Sequence, residues 1–390
     1  MSSRQMSYDS LKSIMKYTEV NKRIEMANGI PCMLTPDRVT AISIDKLILQ
    51  SNMVTIDDTS YRFGIVRQNK NGPTPRRIQE ANENGGLQQD IDEFGFFDSQ
   101  SEIPNMETTE KEMLQLKGKL ESIDIQLKYY TKSTGYRNQL IEESENILLT
   151  LTPILCRLDG VPSPFEPKIQ LTTTKGLKKK VELVKYNKKL PQAMKYLTTK
   201  MFGKRRNTVR VRSLEIGSEQ IQLPENLKLD VKELRIEGNV RPILDTLAPI
   251  IQNSDLDVFK CVSLKSEDLE VEAVRTARSL MIGYLSFGEN WMTIFEKLEN
   301  QKVHLETDLV GFSEENYSTL ISHWIEVGKP IGTSYSFGIV LPDMIEGIKR
   351  SLMDRFGGFV IKRQNSNIVV DFEKKEGGLS PWLVSLKITE

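Results

Sequence analysis

The residues that could do chemistry are few, and their spacing is wrong for most of it. The chain has two histidines, His304 and His323. Metal centres draw on clustered histidine, cysteine or carboxylate ligands at short spacing. His304 lies in a strand-like run near Glu306 and Asp308, and His323 in a helix-like run beside Trp324. Both read as structural histidines with satisfied nitrogens, and no metal site is expected. The cysteines Cys32, Cys156 and Cys261 are far apart and odd in number, which reads as buried free thiols in a reducing compartment. A nucleophilic pair such as Cys261 with His304 requires a contact that linear sequence does not supply. GKPIGTS (328–334) has the wrong order for a phosphate-cradling loop, because Thr333 rather than lysine follows Gly332. FGGF and EGGL read as turn glycines. Asp57-Asp58 before Thr59 reads as a turn or cap rather than an acid/base pair. Neither catalysis nor a cofactor is expected.

The strongest signal is charge. Basic and acidic residues balance at 53 each, yet they are segregated along the chain. Residues 80–125 hold twelve Asp/Glu against three Lys/Arg, and residues 168–212 hold fifteen Lys/Arg against Glu182 alone. Lys178, Lys179, Lys180, Lys204, Arg205 and Arg206 form the candidate basic patch. Three readings are open: a solvated face offsetting the acidic segment, a site for an acidic partner or import receptor, and sequence-blind nucleic-acid binding. Only Tyr186 and Tyr196 interleave the lysines, which is thin for a base-stacking platform. The polar start shows no secretory signal. Ile147–Leu155, the longest apolar stretch, is too short to span a bilayer. An intracellular protein, cytoplasmic or nuclear and without a membrane partner, is expected.

The elements that must position these residues follow from periodicity. Residues 7–33 read as two short helices. The first has an apolar side of Leu11, Ile14, Met15 and Tyr17, with Asp9 as cap; the second carries Val20, Ile24 and Ala27, with Gly29 as C-cap and Pro31 as stop. Residues 36–68 alternate as a small antiparallel β unit, and 69–105 read as an acidic, Gly/Asn-rich linker. Residues 106–158 read as a helical hairpin. Met113, Leu116, Leu120, Ile123, Leu127 and Tyr130 recur three and four apart, with Thr109 and Glu112 as a capping box, and Leu140, Ile147, Leu148 and Leu151 pack back. The same stripe also fits a short coiled-coil dimer seam. From 165 to 390 strands alternate with helices. Strands fall at 209–216, 231–238, 258–264, 277–285, 302–310 and 333–340, and helices at 242–252, 290–299, 314–328 and 342–355. A hairpin turns at Asn365-Ser366, and PWLVSLKI is the final strand. A mixed α/β fold is expected, its last domain leucine-rich-repeat-like, although VKELRI, FKCVSL and ARSLMI share only the strand fragment of that repeat. An ordinary layered α/β domain is the alternative.

Four stretches resemble one family. SLKSIMKYTEVNKRIEMANGIP resembles the opening of a nematode-expanded group of F-box-related proteins, the F-box C family. VTIDDTSYRFGIVRQ, NENGGLQQDIDEFGF (82–96) and AMKYLTTKMFGKRR (193–206) resemble later stretches of that family in the same order. The likeness runs over roughly residues 7–390 and is weakest in the helical hairpin. The resemblance implies a non-catalytic receptor that pairs a degenerate F-box with a C-terminal interaction domain. Its role would be substrate-receptor subunit of a cullin-type ubiquitin ligase, with an adaptor on the N-terminal helices and a protein substrate on 165–390. By match to the first two helices, Leu11, Ile14, Met15, Ile24 and Pro31 are implied to face the adaptor. The chain departs from the family at its start, where Ser7-Tyr8 replaces a Leu-Pro-like opening, and only about 25 residues precede Pro31 where an F-box has about three helices. The same five residues read equally as the side packed on the chain's own β unit. The alternative function is a basic nucleic-acid-associated protein acting through 168–212.

Overall fold

The computed structural model describes residues 6–98, 106–130, 134–252, 255–286, 290–308, 313–375 and 380–390. The chain begins with α1 (Tyr8–Tyr17), α2 (Val20–Gly29), α3 (Pro31–Val39), β1 (Ser43–Leu49) and β2 (Met53–Ile56). β3 (Thr59–Asn69), α4 (Arg76–Glu83), α5 (Met106–Tyr129), α6 (Thr134–Leu158), β4 (Phe165–Lys175), β5 (Lys178–Lys185) and α7 (Leu190–Phe202) follow. Next come β6 (Val209–Ile216), β7 (Leu229–Ile236), α8 (Val240–Leu247), β8 (Val258–Leu264), α9 (Glu272–Thr276) and β9 (Ser279–Leu285). The chain continues through α10 (Trp291–Lys297), β10 (Lys302–Asp308), α11 (Glu314–Val327), β11 (Ser334–Ile339) and α12 (Pro342–Phe356), and closes with β12 (Val360–Lys362), β13 (Asn367–Lys374) and β14 (Trp382–Thr389). The fold is mixed α/β with a C-terminal β-hairpin. It divides into a larger unit, Met1–Asp57 with Thr198–Glu390, and a smaller one, Asp58–Leu197.

In the larger unit the strand order is β12-β13-β14-β11-β10-β9-β8-β7-β6-β1-β2. β1 and β6 to β11 are parallel neighbours, and β14, β13 and β12 extend the sheet antiparallel. Two apolar ladders cross the parallel strands. One runs Leu47, Leu214, Leu234, Phe259, Leu280, Val303, Tyr335, and the other Leu49, Ile216, Ile236, Cys261, Ile282, Leu305, Phe337. None of these fourteen side chains is more than 2% exposed, so each contributes about 1.5–3 kcal/mol of apolar burial if fully transferred from water. Three residues before the first ladder sits another buried residue: Val211 and Val231 within β6 and β7, and Leu256 and Ala277 just ahead of β8 and β9. A step of three followed by a step of two is not simple strand alternation, which is why the sequence shows only fragments of the repeat. Helices cover the ladder face. The rings of Phe295 and Tyr317 pack edge-on against Phe337 at 5.2 and 5.3 Å, and Trp324 against Tyr335 at 4.8 Å.

The N-terminal helices differ from expectation. Pro31 does not end the helical segment. It occupies the first turn of α3, where a missing N–H costs nothing, so residues 7–33 extend into a three-helix block that ends at Val39. Ser7 rather than Asp9 caps α1, accepting the Ser10 N–H at 3.2 Å. Gly29 belongs to α2, and Ile30 caps it. Leu11 and Met15 bury against Met33 of α3, with Met26 beside them. The Asn21 amide donates to the Ile56 carbonyl at 3.0 Å, tying α2 to β2.

In the smaller unit β3, β4 and β5 form an antiparallel meander. The 69–105 segment is not a bare linker in its described part. It carries α4, pairs Leu87 with Ile65, and bridges Ile91 to Phe97; residues 99–105 lie outside the described residues. Three of its carboxylates are engaged: Asp92 by Arg157 at 2.7 Å, Asp90 by the Tyr186 hydroxyl at 2.8 Å, and Asp98 by Lys189. α5 begins at Met106, so Thr109 is inside the helix rather than at its cap. α5 and α6 pack through Ile123, Leu140 and Ile147, with Leu116, Leu120 and Leu127 around them. Leu148, expected in that seam, is 46% exposed, and Ile154 is buried two turns beyond Ile147.

Candidate interaction surfaces

The strand parity that sends the two ladders into the core sends the column between them to the opposite face. That column is Glu215, Arg235, Lys260, Met281, His304 and Ser336, continued by Ser385 and Asp371 on the antiparallel strands. Charges on it are paired with neighbours of opposite sign: Lys46 with Glu215 at 3.4 Å, Arg235 with Glu237 at 3.1 Å, Lys260 with Glu306 at 2.9 Å, and Lys387 with Asp371 at 3.0 Å. Val262 and Tyr284 are exposed beside them. The result is a broad sheet face of mixed charge with an aromatic and an aliphatic foothold, the composition of a protein-recognition surface.

His304 is the most chemically distinctive group on this face. Its Nδ1 lies 2.8 Å from the Ser336 hydroxyl. Burial, and then the charge of Lys375, hold its pKa below the ordinary imidazole value, with Glu306 opposing them. Glu306 is held below the usual carboxylate range, chiefly by its hydrogen bond from Lys260. Cys261 and His304 do not form a nucleophilic pair. Cys261 faces the helices, His304 faces the open side, and β9 separates their strands. Burial pushes the Cys261 thiol up, the opposite of what a nucleophile needs. His323, expected to be satisfied, has a buried Nε2 without a hydrogen-bond partner among the described residues. Cys32, expected to be buried, is exposed. Among the described residues no cluster of metal-ligating side chains occurs, and no helix is long and apolar enough to cross a membrane. Gly328, Gly332 and Gly357 take left-handed φ of 75°, 88° and 71° at helix ends and a turn; residues 376–379 (EGGL) lie outside the described residues. Asp57 is a turn residue, its Oδ1 accepting the Asp45 and Lys46 N–H groups at 2.9 and 3.0 Å.

The five residues implied to face an adaptor are divided by the structure. Leu11, Met15 and Ile24 are 7%, 0% and 4% exposed, and Leu11 and Met15 pack with Met33 in the core of the N-terminal block. Ile14 is half-buried and Pro31 exposed. The large apolar groups that do reach solvent there are Met6, Tyr8, Tyr17 and Ile30, with Tyr17 82% exposed.

The basic patch is divided too. Lys178, Lys179 and Lys180 open β5 in the smaller unit, whereas Lys204, Arg205 and Arg206 follow α7 in the larger. Lys204 and Arg206 are exposed, but the Arg205 side chain is only 6% exposed. Its Nη2 donates to Asp37 Oδ2 at 2.8 Å and to the Met201 carbonyl at 2.9 Å. Arg23 donates to the other Asp37 oxygen and to the Asp37, Thr40 and Ala41 carbonyls at 2.7, 2.6 and 2.8 Å. Next to this triad the Arg206 N–H reaches the Arg38 carbonyl at 3.2 Å and Asn207 the Val39 carbonyl at 2.7 Å. GKRRN is therefore a clamp on the end of α3 as much as a basic surface. No spacing signal could have found the triad, since 168 residues separate Asp37 from Arg205.

Residues 189–340, from α7 to the end of β11, match a family described as a domain of unknown function, DUF3557. No curated protein and no solved structure matches the chain.

Proposed function

We propose that this chain is a non-catalytic interaction protein that serves as the substrate-receptor subunit of a cullin-type ubiquitin ligase. The observation that carries the reading is the open face of the larger sheet. Helices sheath one side, and a column of charged and polar side chains, interrupted by Met281, crosses the parallel strands on the other. The shared strand spacing also supports the leucine-rich-repeat-like reading of this domain. In the proposed mechanism that face holds a target protein, the N-terminal block holds the adaptor, and the chain acts by raising the target's effective concentration near the transferase. No bond is made or broken on it. The adaptor contact belongs to the outward residues Tyr17, Ile30 and Pro31 rather than to Leu11, Met15 and Ile24, which are enclosed.

The test is calorimetric titration of the full chain with the purified ligase adaptor. Binding should be lost in a Tyr17→Asp, Ile30→Asp variant that melts like the parent. A folded protein that fails to bind the adaptor at micromolar concentration removes the ligase role. The competing nucleic-acid reading predicts a different signature, an affinity that falls by orders of magnitude between about 50 and 200 mM salt.

A further inference from the structure

The smaller unit presents a strand edge whose main-chain groups and side chains define an occupant. On β3, Ile65 exchanges both of its main-chain bonds with Leu87, at 2.9 and 2.8 Å, and Arg67 exchanges both of its own with the Asn82 side chain, at 3.0 and 2.8 Å. Those residues therefore turn away from β4. Gly64, Val66 and Gln68 bond to it instead, at Gln170, Lys168 and Glu166. β4 thus gives its even-numbered residues to β3 and its odd-numbered ones to β5, where Ile169, Leu171, Thr173 and Lys175 face Val184, Glu182, Lys180 and Lys178. The two-residue turn Gly176-Leu177 agrees, because such a turn is flanked by a hydrogen-bonded pair. Lys179, Val181 and Leu183 are left with N–H and C=O groups pointing out of the sheet. β5 is the last strand in the order, and all eight of its residues are exposed.

We propose that this edge binds an extended acidic segment of a partner protein as an added strand. The side chains select the occupant. Lys178, Lys179 and Lys180 stand at one end and Lys185 at the other, against Glu182 alone, and between them Val181, Leu183 and Val184 are 46%, 49% and 57% exposed. A segment with acidic residues flanking an apolar centre matches that order. Lys179 rests on the Glu83 carbonyl and Lys180 on Glu182, each at 2.7 Å, contacts that solvent already weakens. A phosphate backbone uses the lysines but has no use for the three aliphatic side chains. A second copy of the chain fits worse: paired antiparallel about Val181, β5 sets Lys180 against Glu182 but Lys179 against Leu183 and Lys178 against Val184, leaving those two lysines without an acidic partner. The inference does not depend on the open face or on the ligase role.

The experiment uses the full chain and a labelled ten-residue peptide, glutamates around a valine-leucine centre, read by fluorescence anisotropy. A second peptide has the same sequence but is N-methylated at alternate residues, so it keeps charge and side chains and loses the donors that face β5. The first peptide should bind, and the methylated one should bind about tenfold or more weakly. Leu183→Pro should weaken the parent peptide similarly, because proline there removes an outward N–H and no bond to β4. The peptide comparison on unaltered protein stands whether or not that variant folds. Equal binding of the two peptides, or no binding of either, overturns the proposal. So does tight binding of a labelled single-stranded oligonucleotide that Lys178→Glu, Lys185→Glu abolishes while the peptide fails to bind.

Discussion

Neutralising Asp37 should be more damaging than removing Arg205, although both belong to one ion cluster. The Asp37 carboxylate is 4% exposed and faces two guanidinium groups that are 3% and 6% exposed. Asp37→Asn leaves two buried cations without an anion. Arg23 keeps its carbonyl contacts to residues 37, 40 and 41, and Arg205 keeps Met201, so neither is stripped bare. Breaking a buried pair while leaving a charge behind costs about 3–5 kcal/mol. Arg205→Met does the reverse. It removes the surplus positive charge, leaves Arg23 and Asp37 as a matched pair, and keeps an apolar stem of similar length. Burial already opposes that charge, since it lowers the Arg205 pKa, but Asp37 Oδ2 loses its donor, so the variant should lose about 1–3 kcal/mol, less than Asp37→Asn. For a unit of this size a loss of 3–5 kcal/mol corresponds to a drop of roughly 6–20 °C in the melting midpoint. Urea and thermal melts of the two variants and of the double variant provide the assay. Equal midpoints for Asp37→Asn and Arg205→Met, or the opposite order, would refute the reasoning, because the cluster would then not be a desolvated one.

Three further outcomes are expected. Native protein should react quickly with a thiol reagent at one cysteine, Cys32, and at all three only in denaturant; fast reaction at two would contradict the burial of Cys156 and Cys261. His304 should make the fold acid-sensitive. Its folded pKa is lowered, so on acidification the unfolded chain takes up the proton first. Stability then falls as pH drops through about 6.5, the loss is complete below the lowered folded value, and the effect fades above about pH 7.5. His304→Asn should remove that component from melts recorded between pH 5 and 8, and identical pH profiles would exclude it. Gly338→Ala should cost about 3 kcal/mol in denaturant titration, because a Cβ there would stand 2.0 Å from the Glu306 carbonyl oxygen and force β10 from β11; a neutral result would mean that the two strands part easily.

Much of the fold was legible because apolar runs announce buried strands. β6 and β8 fall on their expected residues, and the C-terminal hairpin and final strand are where turn chemistry placed them. What escaped did so for physical reasons. β5 is exposed on both faces and so carries no alternation to read. Pro31 sends the same local signal whether it stops a helix or starts one, and the tertiary contact of Met33 with Met15 decides between them. The open face was legible only as the leftover positions of each strand. It becomes a surface once the parallel register aligns Arg235 with Lys260 and Met281 with His304. The Arg23–Asp37–Arg205 cluster depends on a contact between residues 168 apart, and Arg205 looked in sequence like any other member of a basic run.

The pairing of β1 with β6 sets a clock on synthesis. β1 ends at Leu49 and its parallel partner begins at Val209, so a ribosome adding about 5–20 residues per second needs roughly 8–32 s to deliver the second after the first. For that interval Leu47 and Leu49 have β2 on one side and no strand on the other, and until Arg205 follows, Asp37 has one of its two arginines. A nascent chain halted before Val209 should therefore expose a sticky half-sheet, and the cell's holding chaperones have a defined window in which to cover it.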